Sequence, residues 1–129
     1  MQSHLLATSI VLSLVSVALA DTSIERPPAE SLPIPLGATR DQVLLGDRIF
    51  HGEAASGQCF VCHGSNARGT GNGNDLTTGM FIWGDGSLKA IRATILHNME
   101  IAPRMDGALT AGDVDAVAAY VWAISHRQR

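Results

Sequence analysis

Cys59-Phe60-Val61-Cys62-His63 is the most informative run of residues in this chain. Two thiols three positions apart, followed at once by a histidine, form the spacing for covalent attachment of a haem. The thiols add across the vinyl groups of the porphyrin, and the histidine then lies beneath the iron as its proximal axial ligand. The chain has no other cysteine. The alternatives are a structural disulfide and a thioredoxin-like redox pair, but the latter accompanies a βαβ pattern that this sequence lacks.

The N-terminal residues predict export. Residues 5–17 are almost wholly apolar, and Ala18-Leu19-Ala20 is a small-x-small cleavage pattern. The apolar run is short for a bilayer span, which needs about 20 residues. Because the first four residues carry no Lys or Arg, an uncleaved anchor is the alternative. We expect a signal peptide over residues 1–20 and a soluble periplasmic protein with no membrane span after cleavage.

Length and charge limit the remaining possibilities. Cleavage would leave roughly 109 residues, a length typical of one small domain. The formal net charge is −3, and Lys89 is the only lysine. Such a chain does not favour a lysine-rich docking ring or a nucleic-acid interface, so we expect no nucleic-acid partner.

Residues 21–38 predict a lead-in segment without regular structure. Four prolines and no apolar period indicate an extended, weakly ordered stretch. A helix is then predicted from Thr39 or Asp41 to about Phe50, because Val43, Leu44 and Ile49 recur at helical spacing.

Two further helices are predicted in the C-terminal half. Ser87 is a candidate N-cap for a helix that reaches about Asn98, with Leu88, Ile91 and Ile95 buried. Thr110 and Asp113 form a capping-box-like start for a last helix that ends near Ser125. No strand-like alternation of useful length is present, so the sequence predicts an all-α domain with long loops around a prosthetic group.

Residues from about 46 to 125 resemble a class I c-type cytochrome. Gly46 and Phe50 are similar to the glycine and aromatic that pack against an aromatic of the last helix, here Tyr120. Leu76-Thr77 and Trp83-Gly84-Asp85-Gly86-Ser87 resemble the loop before the middle helix in bacterial cytochromes, including haem domains of cbb3-type oxidases. The resemblance implies a small fold of about three to four helices around one covalent haem c, here over residues 39–126, followed by a tail at 127–129.

The same resemblance implies a set of haem-binding residues. Cys59, Cys62 and His63 would attach the haem, and Trp83 would either donate its indole N–H to a propionate or only cover the haem. Apart from the resemblance, Arg68 and Arg104 are candidates to pair with the propionates, because guanidinium forms two-point contacts with carboxylates, and the alternative is that both are solvated. Class I chains usually place a methionine ligand in the loop before the last helix, where Met105 lies. Met99, His97 or an open position remain alternatives. His51 and His126 are not placed for ligation.

The proximal side departs from the family pattern. A proline carbonyl after CxxCH often accepts the second ring N–H of the ligand histidine. This chain has no proline between His63 and Pro103, so a carbonyl within residues 72–75 is expected to take that role.

These features predict a one-electron carrier rather than an enzyme. The expected partners are redox proteins, such as a dehydrogenase or an oxidase complex. The alternative is a gas-binding or sensing haem protein with an open or labile sixth position, because Pro103-Arg104-Met105 departs from the usual ligand motif.

Overall fold

The computed structural model of the protein describes residues 26–101 and 109–127. Within these ranges the chain forms a 3-10 turn at Ala29–Ser31 and four helices, with no strand. We number the helices α1 (Arg40–Phe50), α2 (Cys59–His63), α3 (Leu88–Ile101) and α4 (Ala111–Ser125). The predicted all-α class is confirmed. No helix in the described ranges has both the length and the hydropathy that a bilayer crossing requires.

Helix α1 begins where the sequence predicts, because Thr39 caps it. The Gln42 N–H donates to Thr39 Oγ1 over 3.2 Å, and the Thr39 N–H donates to Gln42 Oε1 over 2.9 Å. This reciprocal pair satisfies two donors that the first helical turn leaves without partners. Val43 and Phe50 are buried along the inner face of the helix.

Helix α4 forms the centre of the molecule. Thr110 and Asp113 make the predicted capping box, with the Thr110 N–H donating to Asp113 Oδ2 over 2.8 Å. Most of the residues that follow are buried, and α4 packs against both α1 and α3. Because α4 touches both neighbours, its position fixes the separation of the other two long helices.

Close contact between α1 and α4 depends on Gly46. A Cβ atom at Gly46 would lie 2.0 Å from the carbonyl oxygen of Ala116 and 2.8 Å from the Tyr120 Cβ. The rings of Phe50 and Tyr120 meet nearby, with centroids 5.4 Å apart. The packing that the family resemblance implied for Gly46, Phe50 and Tyr120 is therefore present.

Helix α3 starts at the predicted cap and extends further than predicted. Ser87 Oγ accepts the Ala90 N–H over 3.2 Å, and the helix continues to Ile101 rather than ending near Asn98. An ion pair between Arg92 and Asp115 joins α3 to α4.

The lead-in is better ordered over its described part than the sequence predicts. From residue 26 onward it includes the 3-10 turn and buries Ala29 and Leu32 in the core. Arg40 Nη1 donates to the carbonyl oxygen of Ala29 over 2.9 Å. The expectation of a weakly ordered stretch is wrong for these residues, because contacts with distant α1 side chains, and not a local period, hold them.

Candidate functional site

An apolar cavity of about 370 Å³ lies between α2, α3, α4 and the loop that joins α2 to α3. Apolar side chains form most of its walls: Phe50, Leu76, Phe81, Ile91, Ile95 and Val117. The volume is within the range of roughly 300–1,000 Å³ that is typical of cofactor and small-molecule pockets. The cavity is therefore the natural place for a largely apolar prosthetic group.

Helix α2 brings the CxxCH residues to this cavity. Cys59, Cys62 and His63 all line it. Residues three apart on a helix share a face, so the spacing of the two cysteines directs both sulfurs to one side. The helix ends at Gly64, whose φ of 80° is one that side-chain-bearing residues rarely adopt.

The two cysteines do not have the properties of a redox-active dithiol. No disulfide joins Cys59 to Cys62, and Cys59 is only 7% exposed. Burial raises the pKa of the Cys59 thiol to about 11. Thioredoxin-like cysteines instead have a lowered thiol pKa and stand beside a βαβ unit. Since residues 26–101 and 109–127 contain no strand, the structure disfavours the thioredoxin-like alternative.

His63 is held in one orientation by a backbone carbonyl. Its Nδ1 lies 2.8 Å from the carbonyl oxygen of Asn74. A carbonyl oxygen only accepts, so Nδ1 carries a proton, and in the neutral ring the lone pair is then on Nε2. Ligand histidines in metal sites are oriented in the same way. The acceptor expected within residues 72–75 is thus the Asn74 carbonyl.

Close approach of the loop to α2 places that carbonyl. Thr70 Oγ1 donates to the carbonyl oxygen of Cys62 over 2.5 Å. A Cβ at Gly73 would lie 2.6 Å from the same Cys62 oxygen, so only glycine fits there without displacement. Asn74 follows directly, and its carbonyl therefore reaches His63.

Trp83 lines the cavity from the loop before α3. Trp83 is nevertheless 71% exposed, and its neighbours Met80 and Ile82 are exposed to a similar degree. Trp83 is thus placed at the mouth of the cavity, where it can cover a bound group. Arg68 is exposed and lines a separate cleft with Leu32, so it does not join the other candidate residues.

Arg104 and Met105 fall within residues 102–108, outside the described ranges, and both remain predictions. The alternatives to Met105 as the sixth ligand, Met99 and His97, lie on α3. That helix lines the cavity with Ile91, Thr94, Ile95 and Asn98, and neither Met99 nor His97 is among its lining residues. The position of α3 therefore does not favour the two alternative ligands.

Sequence reasoning gave no role to His51, but the structure does. The His51 side chain is only 5% exposed, and both of its ring nitrogens make hydrogen bonds. It packs against Phe50, with ring centroids 5.0 Å apart. The available signal was its spacing from Asp47, because an acid and a histidine four apart on a helix lie side by side.

One family model, described as Cytochrome c, matches residues 44–125. No solved structure matches the chain. The matched range runs from within α1 to the last residue of α4, and it contains the CxxCH motif and every lining residue of the cavity in the described ranges. A match over this much of the chain, with the motif facing an apolar cavity, means that the protein belongs to the cytochrome c family.

Proposed function

We propose that this protein is a single-haem c-type cytochrome that carries one electron at a time between redox proteins. The observation that carries the proposal is that Cys59, Cys62 and His63 line one apolar cavity. The Nδ1–H of His63 is already engaged by Asn74, which leaves Nε2 as the metal-binding atom.

The residues present fit a covalent haem. Cys59 and Cys62 would hold it through thioethers, and His63 would be the proximal ligand. When bound, the haem supplies an iron that cycles between the ferric and ferrous states. The apolar walls exclude water, which favours the ferrous state because that state has the smaller charge. Trp83 shields the mouth of the cavity.

The site of action and the partners are also part of the proposal. The apolar run over residues 5–17 and the Ala18-Leu19-Ala20 pattern support export and cleavage before Asp21. The periplasm is the corresponding compartment, with a dehydrogenase or an oxidase complex as donor and acceptor. N-terminal sequencing of the periplasmic protein would test this, and a mature chain that begins at Met1 would contradict it.

The second candidate function is gas binding, and it is supported by the residues that line the cavity. Over the described ranges the lining includes neither a methionine nor a histidine other than His63. The sixth ligand is then supplied from residues 102–108, with Met105 as our candidate, or by an external molecule such as carbon monoxide.

Optical spectra of the haem-loaded protein distinguish the two functions. We expect low-spin ferric and ferrous spectra, a ferric sulfur-to-iron band, and no response of the ferrous protein to carbon monoxide. Met105→Ala should abolish the band and permit carbon monoxide binding. Met99→Ala and the exposed-site control Met80→Ala should leave the spectra unchanged. A wild-type ferrous protein that binds carbon monoxide at once would overturn the carrier proposal in favour of the sensor.

Covalent attachment is tested separately. Haem should stay with the polypeptide on a denaturing gel, and the double variant Cys59→Ala/Cys62→Ala should lose it. Haem that dissociates from the wild-type protein under denaturing conditions would contradict both candidate functions in their c-type form.

A further inference from the structure

We propose that His51 is a buried proton-binding group that regulates the redox equilibrium of the cavity's haem, from its position behind Phe50. The proposal rests on the function proposed above. It follows from the hydrogen bonds of His51, from the charges around it and from its place relative to His63.

The hydrogen bonds of His51 select its charged form. Nδ1 lies 2.7 Å from the Asp47 carbonyl oxygen and 3.2 Å from Asp47 Oδ1, and Nε2 lies 2.8 Å from the Ser65 carbonyl oxygen. Carbonyl and carboxylate oxygens only accept hydrogen bonds. Both ring nitrogens must therefore donate, which requires a doubly protonated ring. A neutral ring would leave one nitrogen lone pair directed at an oxygen.

The charges around His51 support the same state. Burial of the ring works against its charged form, but hydrogen bonds to the Asp47 carboxylate and to the Ser65 and Asp47 carbonyls outweigh burial and raise the pKa of His51. Arg26 acts in the opposite direction through its positive charge. In Asp47, hydrogen bonds from His51 and Arg26 outweigh burial and hold the pKa of the carboxyl below its ordinary value.

Several elements of the described structure pack against His51 or carry charge beside it. Asp47 comes from α1, Arg26 from the lead-in and Glu53 from the loop after α1, whereas α4 presents the ring of Tyr120 and α2 that of Phe60. The positive charges of Arg26 and protonated His51 offset the negative charges of Asp47 and Glu53. Loss of the His51 proton would therefore leave a net negative charge beside the cavity wall.

Phe50 links this cluster to the haem-binding residues. Its ring centroid lies 5.0 Å from that of His51 and 6.5 Å from that of His63. Phe50 is itself buried and lines the cavity, so the intervening medium is apolar. Charge interactions are weakly screened in such a medium. A second link is mechanical, since His51 Nε2 binds the Ser65 carbonyl two residues after His63.

The direction of the effect follows from the charge of the iron. Ferrous iron carries one positive charge fewer than ferric iron, so a protonated His51 favours the ferrous state. By thermodynamic reciprocity, reduction makes His51 hold its proton more tightly. The reduction potential should then fall as pH rises through the interval in which His51 titrates. With one proton released per electron, the redox equilibrium changes tenfold per pH unit, which corresponds to about 59 mV.

The test is a potentiometric titration of the haem-loaded protein between pH 5 and 9. The wild type should show a falling step whose slope is no steeper than this limiting value. His51→Gln, which cannot hold a titrating proton, should lose the step. The matched control His126→Gln replaces an exposed histidine that stacks on Trp122, and it should retain the step. A flat wild-type potential would overturn the proposal, and so would a step that persists in His51→Gln.

A second measurement does not need the variant to fold. Nitrogen-15 NMR of the wild-type protein should find the His51 ring doubly protonated at pH 6, and the midpoint of its titration should be higher in the ferrous than in the ferric protein. Equal midpoints in the two oxidation states would overturn the coupling. Failure of the carrier function is recognised independently, because a carbon-monoxide-binding wild type removes that function while the NMR midpoints still decide the role of His51.

Discussion

At the scale of single residues, the orientation of His63 depends on a backbone carbonyl and on the glycine before it. The Asn74 carbonyl accepts the His63 Nδ1–H over 2.8 Å, and it can do so because Gly73 lies directly against Cys62. A side chain at position 73 would push the loop away from α2. This contact therefore controls how basic the proximal ligand is.

We expect Gly73→Ala to destabilise the protein by about 1–3 kcal/mol, because its Cβ would meet Cys62 backbone atoms at 2.6 and 2.8 Å. The weakened hydrogen bond from His63 should also make the ligand less electron-donating and raise the reduction potential. Urea unfolding and potentiometry at pH 7 measure the two effects. The control is Gly71→Ala, since a Cβ at Gly71 meets nothing within 4 Å. Equal effects of the two substitutions would contradict this role of Gly73.

The sequence predicted the chemistry of the site better than its geometry. The roles proposed for Cys59, Cys62 and His63 depend on local spacing, which a single sequence contains. The choice of Asn74 within residues 72–75 depends on the path of the backbone. The environment of His51 depends on Arg26, which is 25 residues away in the sequence, and on the Ser65 carbonyl, and no local pattern records either contact.

At the scale of helices, the contact between α1 and α4 sets the framework around the cavity. The close approach at Gly46 brings Phe50 and Tyr120 together, and Phe50 then forms one wall of the cavity. Helix starts and amphipathic faces were predictable because N-caps and apolar periods are local signals, as the capping boxes at Thr39 and Thr110 illustrate. The short α2 was not predicted, because five residues are too few to show a helical period.

Substitution of Gly46 by alanine should separate these helices. The new Cβ would lie 2.0 Å from the Ala116 carbonyl oxygen, which belongs to the backbone and has little freedom to move. We expect a loss of about 3 kcal/mol or more in the free energy of unfolding, at the upper end for overpacked cores.

The control for this substitution is Gly112→Ala, in the first turn of α4. Its Cβ would come no closer than 3.8 Å to any neighbour, so the higher helix propensity of alanine should leave stability unchanged or raise it by up to about 1 kcal/mol. Thermal and urea unfolding of the haem-loaded variants measure both changes. If Gly46→Ala is as stable as Gly112→Ala, the close approach of α1 to α4 at Gly46 does not contribute to stability.

At the scale of the whole molecule, Arg26 fastens the lead-in to the helical domain. Its Nε donates to Asp47 Oδ1 over 2.9 Å, Nη2 to Asp47 Oδ2 over 2.5 Å, and Nη1 to Glu53 Oε1 over 2.5 Å. The same guanidinium therefore pairs with both Asp47 and Glu53, and it balances their charge together with the protonated His51. The ion pairs that attach the lead-in to α1 are therefore the same ones that set the charge around His51.

The network makes stability depend on pH in a defined direction. Burial raises the pKa of Asp47, but the hydrogen bonds from His51 and Arg26 have the larger combined effect and leave this pKa below its ordinary value. The hydrogen bond from Arg26 also lowers the pKa of Glu53. A carboxyl whose pKa is lower in the folded than in the unfolded protein stabilises the fold at neutral pH. That contribution is lost as pH falls through the folded-state value, so it should be absent well below pH 4.

Arg26→Gln should therefore lower the free energy of unfolding at pH 7 by about 1–2 kcal/mol, which we assign to the partly buried contact with Asp47 after solvent screening, and by much less near pH 3. Urea unfolding at the two pH values measures the difference. Arg48→Gln is the matched control, because Arg48 is an exposed arginine on α1 and its loss should change stability by no more than about 0.5 kcal/mol at either pH. An equal loss for Arg26→Gln at pH 7 and pH 3 would assign its contribution to packing of the aliphatic stem, because only the ionic part of the contact disappears when Asp47 and Glu53 gain protons.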